Sequence, residues 1–282
     1  MFDSLKQFMI LPFLAALALA NVHSGVMIVI DPAKQQWFAA MAAMLPMLLF
    51  MLYIATAGVG RTSRYMPWQV IGVVVGVVTL LLADKVSFVA AFYVFGLGLV
   101  GVGLYMLWYS KLERSQSPAL QPGQTLPAVE FSDTDGNLLS IESMKGRRVL
   151  LLFYRGSWCP LCVAQIRELA DEYRQLEARN TEVFFISPQA ASESQKLARR
   201  FDIPARFIVD DNHVLANTLN IVHSRGVPKG MGFADTDTVL PTAVLLDEQG
   251  VIRWVDQTDN YRVRPELATF LRVLDELVPN VV

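Results

Sequence analysis

The 282-residue chain has few charged side chains and only two cysteines. Charged residues make up 18% of the sequence, whereas about a quarter is usual for a soluble domain. Two cysteines exclude a small secreted fold held together by several disulfides. The hydrophobic share of 53% excludes an intrinsically disordered chain. The net charge of −2 and the lack of a basic tract predict that nucleic acid is not a partner.

The charged residues are missing mainly from one part of the chain. Residues 1–110 hold eight of the fifty charged side chains, and residues 111–282 hold the others with a net charge of −4. A region so poor in charge is typical of a membrane-embedded segment. The sequence therefore predicts a membrane region at 1–110, a linker at 111–125 and a soluble domain at 126–282.

Four apolar stretches of the first region are long enough, or nearly so, to cross a bilayer as helices. They are residues 8–30, 37–59, 68–83 and 86–109. The first has an alternative interpretation as a signal peptide, with Ala18-Leu19-Ala20 as its cleavage site, although the leading segment carries no net positive charge. We expect an anchor in contact with membrane lipid. It has no cysteine, so it cannot relay electrons by thiol exchange.

The distribution of basic residues predicts how the spans are oriented. If residue 1 is inside, the inside segments carry five Lys or Arg residues and the outside loops carry two. The inside set is Lys6, Arg61, Arg64, Lys111 and Arg114, and the outside set is Lys34 and Lys85. The count predicts an integral protein of a bacterial-type inner membrane with a cytoplasmic C-terminal domain. A periplasmic domain is the alternative, because the margin is small.

Beyond the membrane region, three prolines and a glycine between Lys111 and Pro127 predict an extended connector. Buried-strand and amphipathic-helix patterns then alternate. Strands are predicted near 149–154, 182–187 and 205–209, hairpins near 127–141 and 242–255, and helices near 160–179, 191–201, 212–219 and 264–277. This order predicts an α/β sandwich around a central sheet.

The two cysteines lie three residues apart, where a buried strand is followed by a helix. A helix N-terminus stabilises a thiolate, which predicts that Cys159 is an exposed nucleophile and that Cys162, one turn further in, is the more buried resolving thiol. Pro160 suits the first helical position. The alternatives are a structural pair or half of a zinc site, but His213 and His223 lack the spacing of zinc ligands. We therefore predict a redox-active disulfide with no metal and no other cofactor.

The segment Phe153–Cys162 resembles the active-site segment of the thioredoxin superfamily. It is most similar to the redoxins of the alkyl hydroperoxide reductase/thiol-specific antioxidant (AhpC/TSA) family. The segment Leu240–Gly250 resembles the family's second landmark, where a cis proline faces the cysteines just before a strand. The resemblance covers about residues 126–278 and implies a thioredoxin-like domain with a mixed central sheet flanked by helices. It also implies a cis Leu240–Pro241 bond whose backbone edge binds the substrate; Val227–Pro228 is the alternative cis site.

The sequence departs from the peroxiredoxin pattern of that family at two places. Peroxiredoxins carry a threonine three residues before the reactive cysteine, where this chain has Gly156. They also carry an arginine near the start of the later strand, where this chain has Pro241 and Thr242. In the family, these two residues hold and polarise the peroxide. Thioredoxins, in turn, have a buried aspartate in the strand before the cysteines, and Val149–Phe153 contains no acid.

Three functions are compatible with these features. The first is a membrane-tethered thiol–disulfide oxidoreductase acting on a protein thiol or disulfide partner. Its substrate site would be formed by Trp158, Pro160, Leu240 and Pro241, with Arg155 as an electrostatic helper. The second is a thiol-specific antioxidant peroxidase that reduces hydroperoxides with the same cysteines and takes electrons from a thioredoxin-type donor. The third is a non-enzymatic redox sensor or membrane assembly factor.

Overall fold

The structure, a computed structural model, describes residues 3–201, 203–231 and 236–277. The chain divides into two compact units. The first comprises Met1–Gly58, Thr62–Lys111 and Pro228–Gly230, and the second comprises Val59–Arg61, Leu112–Val227 and Met231–Val282. The predicted end of the soluble domain, at residues 278–282, lies outside the described residues.

The first unit contains apolar helices. They are α1 (Asp3–Ile30), α2 (Lys34–Thr56), α3 (Pro67–Leu81) and α4 (Phe88–Tyr109), the last with wider π-type turns over Phe92–Gly101 and Tyr105–Tyr109. By length and composition, α1, α2 and α4 could cross a membrane, whereas α3 has 15 residues and is shorter. The number of spans and their orientation remain predictions.

Two glycines of α3 allow it to pack closely on α2. A Cβ atom at Gly72 would lie 2.6 Å from the carbonyl oxygen of Ala42, and one at Gly76 would lie 2.6 Å from the carbonyl oxygen of Ala39. Both distances are shorter than any real Cβ contact, so only glycine fits. The small-xxx-small spacing of these glycines is therefore used within the chain, between α3 and α2.

The second unit is built on a seven-stranded mixed sheet with the order β2-β1-β5-β4-β3-β8-β9. Its strands are β1 (Glu130–Asp133), β2 (Leu138–Ser140), β3 (Arg148–Phe153), β4 (Thr181–Ser187), β5 (Arg206–Val209), β8 (Thr242–Leu246) and β9 (Ile252–Asp256). A separate pair is formed by β6 (Val222–His223) and β7 (Thr238–Val239). The strands β3, β4 and β5 are parallel, and the other pairings of the sheet are antiparallel.

Strand β3 lies inside the sheet, between β4 and β8. Every one of its residues is buried, as expected for a strand covered on both faces. The helices of this unit are α5 (Pro160–Asp171), α6 (Tyr173–Glu177), α7 (Ala191–Phe201), α8 (Val214–Thr218) and α9 (Leu267–Glu276). The helix predicted for 160–179 is interrupted at Glu172, whose φ of −113° is not helical. The interruption divides it into α5 and α6.

The segment predicted to be an extended connector instead packs on the second unit. The side chains of Leu112 and Leu120 are 4% and 1% exposed and belong to the hydrophobic core of this unit. The backbone N–H of Leu112 donates to the carbonyl oxygen of Asp259 at 2.7 Å. The prolines prevent a helix here, as predicted. The segment nevertheless packs on the core, because burying the two leucine side chains stabilises the folded chain relative to leaving them in solvent.

Candidate active site

The two cysteines lie at the start of α5. Cys159 is the N-cap residue, with extended backbone angles, and Pro160 is the exposed first residue of the helix. The N–H groups of Cys162 and Val163 donate to the carbonyl oxygen of Cys159 at 3.0 and 3.1 Å. The strand β3 ends at Phe153, so the loop that follows brings both thiols to its carboxyl end.

Both cysteines are free thiols, and both are buried. The residue Cys159 is 2% exposed and Cys162 is 0% exposed. The prediction that Cys159 is exposed was therefore wrong. The physical reason is that a side chain from far along the chain, Arg264, lies against both sulfur atoms and closes the site.

Arg264 stands in the segment before α9 and is 5% exposed. Its Nη2 lies 3.3 Å from the Sγ of Cys162 and 3.7 Å from the Sγ of Cys159. Its Nη1 donates to Oε1 of Gln165 at 3.2 Å, and its Nε donates to the carbonyl oxygen of Tyr261 at 3.1 Å. Within the described residues, Arg264 has no carboxylate partner. A buried guanidinium needs a counter-charge, and the dithiol is positioned to supply it.

The surroundings favour one negative charge on the pair of thiols. Burial opposes ionisation of both. For Cys162, however, the hydrogen bond from Cys159 and the charge of Arg264 outweigh burial and lower its pKa well below the ordinary value. Burial, together with the hydrogen bond and charge of Cys162, raises the pKa of Cys159. These contacts favour ionisation of Cys162 over Cys159, and the Sγ of Cys162 also accepts the N–H of Arg155 at 3.4 Å.

The side chain of Arg155 is buried next to the redox site rather than exposed to solvent. Its guanidinium carbon lies 4.7 Å from the ring centre of Trp158 and 5.3 Å from that of Tyr261. Its Nη2 donates to the carbonyl oxygen of Gly226 at 2.5 Å. The charge of Arg155 lowers the pKa of both thiols, after the larger effects of their own contacts and of Arg264. This position is consistent with the electrostatic role predicted for Arg155.

The departure at Gly156 has a structural cause. Its φ is +144°, a backbone conformation that favours glycine, and a Cβ atom there would lie 2.6 Å from Nε1 of Trp158. The indole of Trp158 therefore occupies the space beside Gly156 in which a threonine side chain would begin. This site has no room for the threonine of the peroxiredoxin pattern.

We expect Gly156→Ala to destabilise the chain by about 1–3 kcal/mol, the usual cost of a strained backbone position, with an added clash against Trp158. The matched control is Gly136→Ala, since Gly136 has a φ of +86° and a Cβ atom there would meet no other atom within 4 Å. Thermal unfolding of the two variants separates the steric effect from the backbone effect. Equal losses of stability in both would contradict the proposed contact with Trp158.

The segment Leu240–Pro241 differs from the predicted substrate edge. The peptide bond between these residues is trans, since the described residues contain no cis peptide bond. Both residues are buried, and the N–H of Leu240 donates to the carbonyl oxygen of Ile221 at 2.8 Å. The carbonyl oxygen of Pro241 accepts a hydrogen bond from Nη1 of Arg114 at 2.9 Å. The predicted cis bond was wrong, and the backbone groups offered to a substrate are already bonded within the chain.

Comparison with known proteins supports the predicted family. Residues 122–255 match the model of the AhpC/TSA family, and this range lies within the second unit except for Pro228–Gly230. Peroxiredoxin Q of the Populus jackii chloroplast is 26% identical over 157 residues, covering 55% of this chain and 68% of the relative. Peroxiredoxin Bcp of Bacillus subtilis (strain 168) is 21% identical over 158 residues, covering 56% of this chain and 97% of the relative.

Solved structures of similar proteins were also found. Peroxidoxin BcpB from Mycobacterium tuberculosis superimposes with a TM-score of 0.48 at 16% identity, covering 56% of this chain and 98% of that one. Reduced Prx3 from Vibrio vulnificus, in complex with H2O2, gives a TM-score of 0.49 at 17% identity, covering 55% and 98%. The match to the AhpC/TSA family model covers residues 122–255, in the part of the chain where the sequence predicted the resemblance, and the strand order confirms the thioredoxin-like fold with a mixed central sheet.

Proposed function

We propose that this chain, whose residues 122–255 match the AhpC/TSA family model, is a thiol peroxidase that reduces hydroperoxides with Cys159 and Cys162. One observation carries the proposal: the buried guanidinium of Arg264 lies within 3.7 Å of both sulfur atoms. A fixed cation beside a thiolate lowers the thiol pKa and stabilises the charge that develops on the peroxide oxygens. Both candidate activities are those of an oxidoreductase, and this observation favours reduction of hydroperoxides over thiol–disulfide exchange with a protein partner.

In the first step, a thiolate sulfur attacks one oxygen of the hydroperoxide and the O–O bond breaks. The sulfur becomes a sulfenic acid, and the second oxygen leaves as water or alcohol after taking up a proton. We assign the attack to Cys159, because it is the N-cap residue beside exposed Pro160. The hydrogen bond between the thiols lets the shared proton move to Cys162, which leaves the charge on Cys159.

In the second step, the Cys162 thiol attacks the sulfenic sulfur of Cys159 and water leaves, so that a disulfide forms. After a rearrangement that exposes the buried disulfide, a dithiol donor of the thioredoxin type reduces it by exchange and becomes oxidised itself. The one-turn spacing along α5 keeps Cys162 close enough to perform this step. We predict that the reaction requires no metal and no other cofactor.

In the family pattern, a threonine and an arginine hold and polarise the peroxide. We assign this role here to Arg264. It arrives from the segment before α9, and Gln165 on α5 holds its guanidinium in place. Gln165 lies three residues after Cys162, on the same side of the helix. We therefore regard Gln165 as a positioning residue for Arg264.

Two features favour a small substrate over a folded protein disulfide. Both sulfurs are buried, so a large partner cannot reach them without a rearrangement. The backbone groups of Leu240 and Pro241 are occupied by Ile221 and Arg114, which leaves no open edge for an extended peptide at these two residues. The redox-sensor hypothesis would instead be favoured by slow turnover accompanied by a large structural change on oxidation.

We also propose that the apolar helices tether this peroxidase to a membrane, with lipid as their partner. The lengths and composition of α1, α2 and α4 support this. The cytoplasmic location of the redoxin domain rests on the charge of the loops, and the periplasmic alternative stays open. A cysteine-accessibility scan of the loops in intact cells would decide between the two.

The proposed activity is tested by mixing the reduced full-length chain with H2O2 and following thiol oxidation by Trp fluorescence and mass spectrometry. We expect oxidation about 10²–10³ times faster than that of a free thiol with the same thiolate fraction, which is the usual effect of one well-placed charge donor. The matched control is the same chain unfolded in denaturant. Equal rates for the folded and unfolded chains would exclude a peroxide site.

A further inference from the structure

An arginine from a distant part of the sequence is paired beside the segment that carries Arg264. Arg61 lies between α2 and α3 in the sequence, and the short segment Val59–Arg61 belongs to the second unit. Its guanidinium forms an ion pair with Glu168 on α5, and the two side chains are only 26% and 30% exposed. Its Nη2 also lies 3.5 Å from the carbonyl oxygen of Pro265. Arg61 therefore contacts both the cysteine-bearing helix and the residue next to Arg264.

Gly60 brings this segment against α5 at the residue that binds Arg264. A Cβ atom at Gly60 would lie 3.2 Å from the Cα atom and 3.4 Å from the Cβ atom of Gln165. Distances this short are tighter than most Cβ contacts, so glycine allows the close approach of the two backbones. Arg61 is thereby held within reach of Glu168, which lies three residues after Gln165 on the same side of the helix.

The side chains of Gln165 and Glu168 together bind the segment from Arg264 to Leu267. Gln165 accepts a hydrogen bond from Nη1 of Arg264 at 3.2 Å and donates from Nε2 to the carbonyl oxygen of Pro265 at 3.3 Å. Oε1 of Glu168 accepts the N–H of Leu267, the first residue of α9, at 3.2 Å. The carboxylate of Glu168 and the guanidinium of Arg264 are therefore held by neighbouring groups on one face of α5.

The pairing of Glu168 bears on where the guanidinium of Arg264 points. Opposite charges attract strongly when they are shielded from bulk water. If Arg61 were absent, the carboxylate of Glu168 would be unbalanced and would compete with the dithiol for Arg264. The ion pair with Arg61 balances this carboxylate and removes the competition.

The other carboxylates near this segment are less suited to attract Arg264 away from the sulfurs. Asp256 also faces Arg264, but it accepts the N–H of Thr258 and faces Arg114 as well. Glu266 lies 3.8 Å from Arg61 and is 60% exposed, so solvent screens its charge. Glu168 is therefore the carboxylate whose charge most needs a partner in the reduced site.

We propose that Arg61 is a positioning residue for the redox site, because it neutralises Glu168 and so keeps the guanidinium of Arg264 on the two sulfur atoms. The inference rests on the proposed peroxidase function and deepens it. Arg61 acts through Arg264 and not on the peroxide itself. A displacement of about 1 Å in a reacting group can slow a reaction by about 10²-fold, so even partial withdrawal of Arg264 would be measurable.

The test measures oxidation of the reduced full-length chain by H2O2 in variants of Arg61 and Glu168. We expect Arg61→Ala to be oxidised about tenfold more slowly than wild type, because the unbalanced carboxylate attracts Arg264 away from the sulfurs. Adding Glu168→Gln should restore the rate to within about threefold of wild type, since glutamine keeps an acceptor for the N–H of Leu267 but carries no charge. The pH of half-maximal alkylation by iodoacetamide should rise in Arg61→Ala and fall back in the double variant.

Three further variants separate this role from a general loss of stability. Arg61→Lys keeps the charge and should retain most of the rate. Arg61→Gln removes the charge but keeps a polar side chain, and it covers the case in which the alanine variant does not fold. The matched control is Arg179→Ala, which removes an ion pair with Asp275 near the other end of α9 and should leave the oxidation rate unchanged.

A double variant as slow as Arg61→Ala, or an Arg61→Ala variant as fast as wild type, would overturn the positioning role. So would a further slowing when Arg61→Ala is added to a chain that already carries Arg264→Ala, because Arg61 would then act without Arg264. A wild-type chain that reacts with H2O2 no faster than a free thiol would instead overturn the peroxidase function. The alkylation series involves no peroxide, so it would still decide whether Arg61 positions Arg264.

Discussion

Replacing Cys159 by serine should abolish peroxide turnover, whereas replacing Cys162 by serine should leave the first oxidation intact. Loss of a nucleophile typically costs a factor of 10⁴ or more, so residual turnover of Cys159→Ser should be at most about 10⁻⁴ of wild type. In Cys162→Ser, the sulfenic acid at residue 159 has no resolving thiol. It should accumulate and react with dimedone or with an added thiol. Mass spectrometry of the modified chain distinguishes the two variants.

This experiment also resolves which sulfur reacts first. In the reduced structure the contacts lower the pKa of Cys162 and raise that of Cys159, yet the position at the helix N-cap assigns attack to Cys159. If Cys159→Ser became oxidised by H2O2 at the wild-type rate while Cys162→Ser did not, the two roles would be exchanged. The matched control is the double serine variant, which contains no thiol and should show no reaction.

Replacing Arg264 by alanine should slow oxidation by H2O2 about 10²–10³-fold at neutral pH. In the wild type, the charge of Arg264 beside both sulfurs lowers the pKa of Cys162, and the variant loses this charge. Removing that charge raises this pKa, so alkylation of the reduced chain by iodoacetamide should reach its half-maximal rate at higher pH. Stopped-flow oxidation and a pH series of alkylation rates measure the two effects separately.

Arg264→Lys should fall between alanine and wild type. A lysine keeps the charge but has no planar fork, so it cannot contact the sulfurs and donate to Gln165 and Tyr261 together. The matched control is Arg272→Ala, since Arg272 is exposed on α9 and paired with Glu276. Unchanged oxidation and alkylation in Arg264→Ala would remove the observation on which the proposed function depends.

The sequence was sufficient to predict the strand, the turn and the helix that present the cysteines. The apolar run of β3 and the helical spacing of the apolar residues of α5 are set by residues close together in the sequence, so their periodicity can be read from it. Arg264 could not be found in this way, because it lies 102 residues from Cys162 and nothing in its local pattern marks it. Its role arises only when the segment before α9 folds back over α5.

Gly156 and the linker illustrate the same limit. The sequence shows only that Gly156 stands where the family pattern has a threonine. The structure explains the glycine, because the φ of this residue is +144° and the indole of Trp158 occupies the space of a side chain. Composition correctly indicates that the prolines between Lys111 and Pro127 prevent regular structure. It does not indicate that Leu112 finds a place in the core, because that depends on the shape of the surface beside it.

The packing of this segment decides where the redoxin unit can be cut for separate study. A fragment that starts at Ser117, just before the first proline of the linker, would lack Leu112 and Arg114. It would leave a gap in the core and leave the carbonyl oxygen of Pro241 without its donor. The lost leucine alone would cost about 1.5–3 kcal/mol. A shortened gene for this unit should therefore begin ahead of Leu112, at the end of α4.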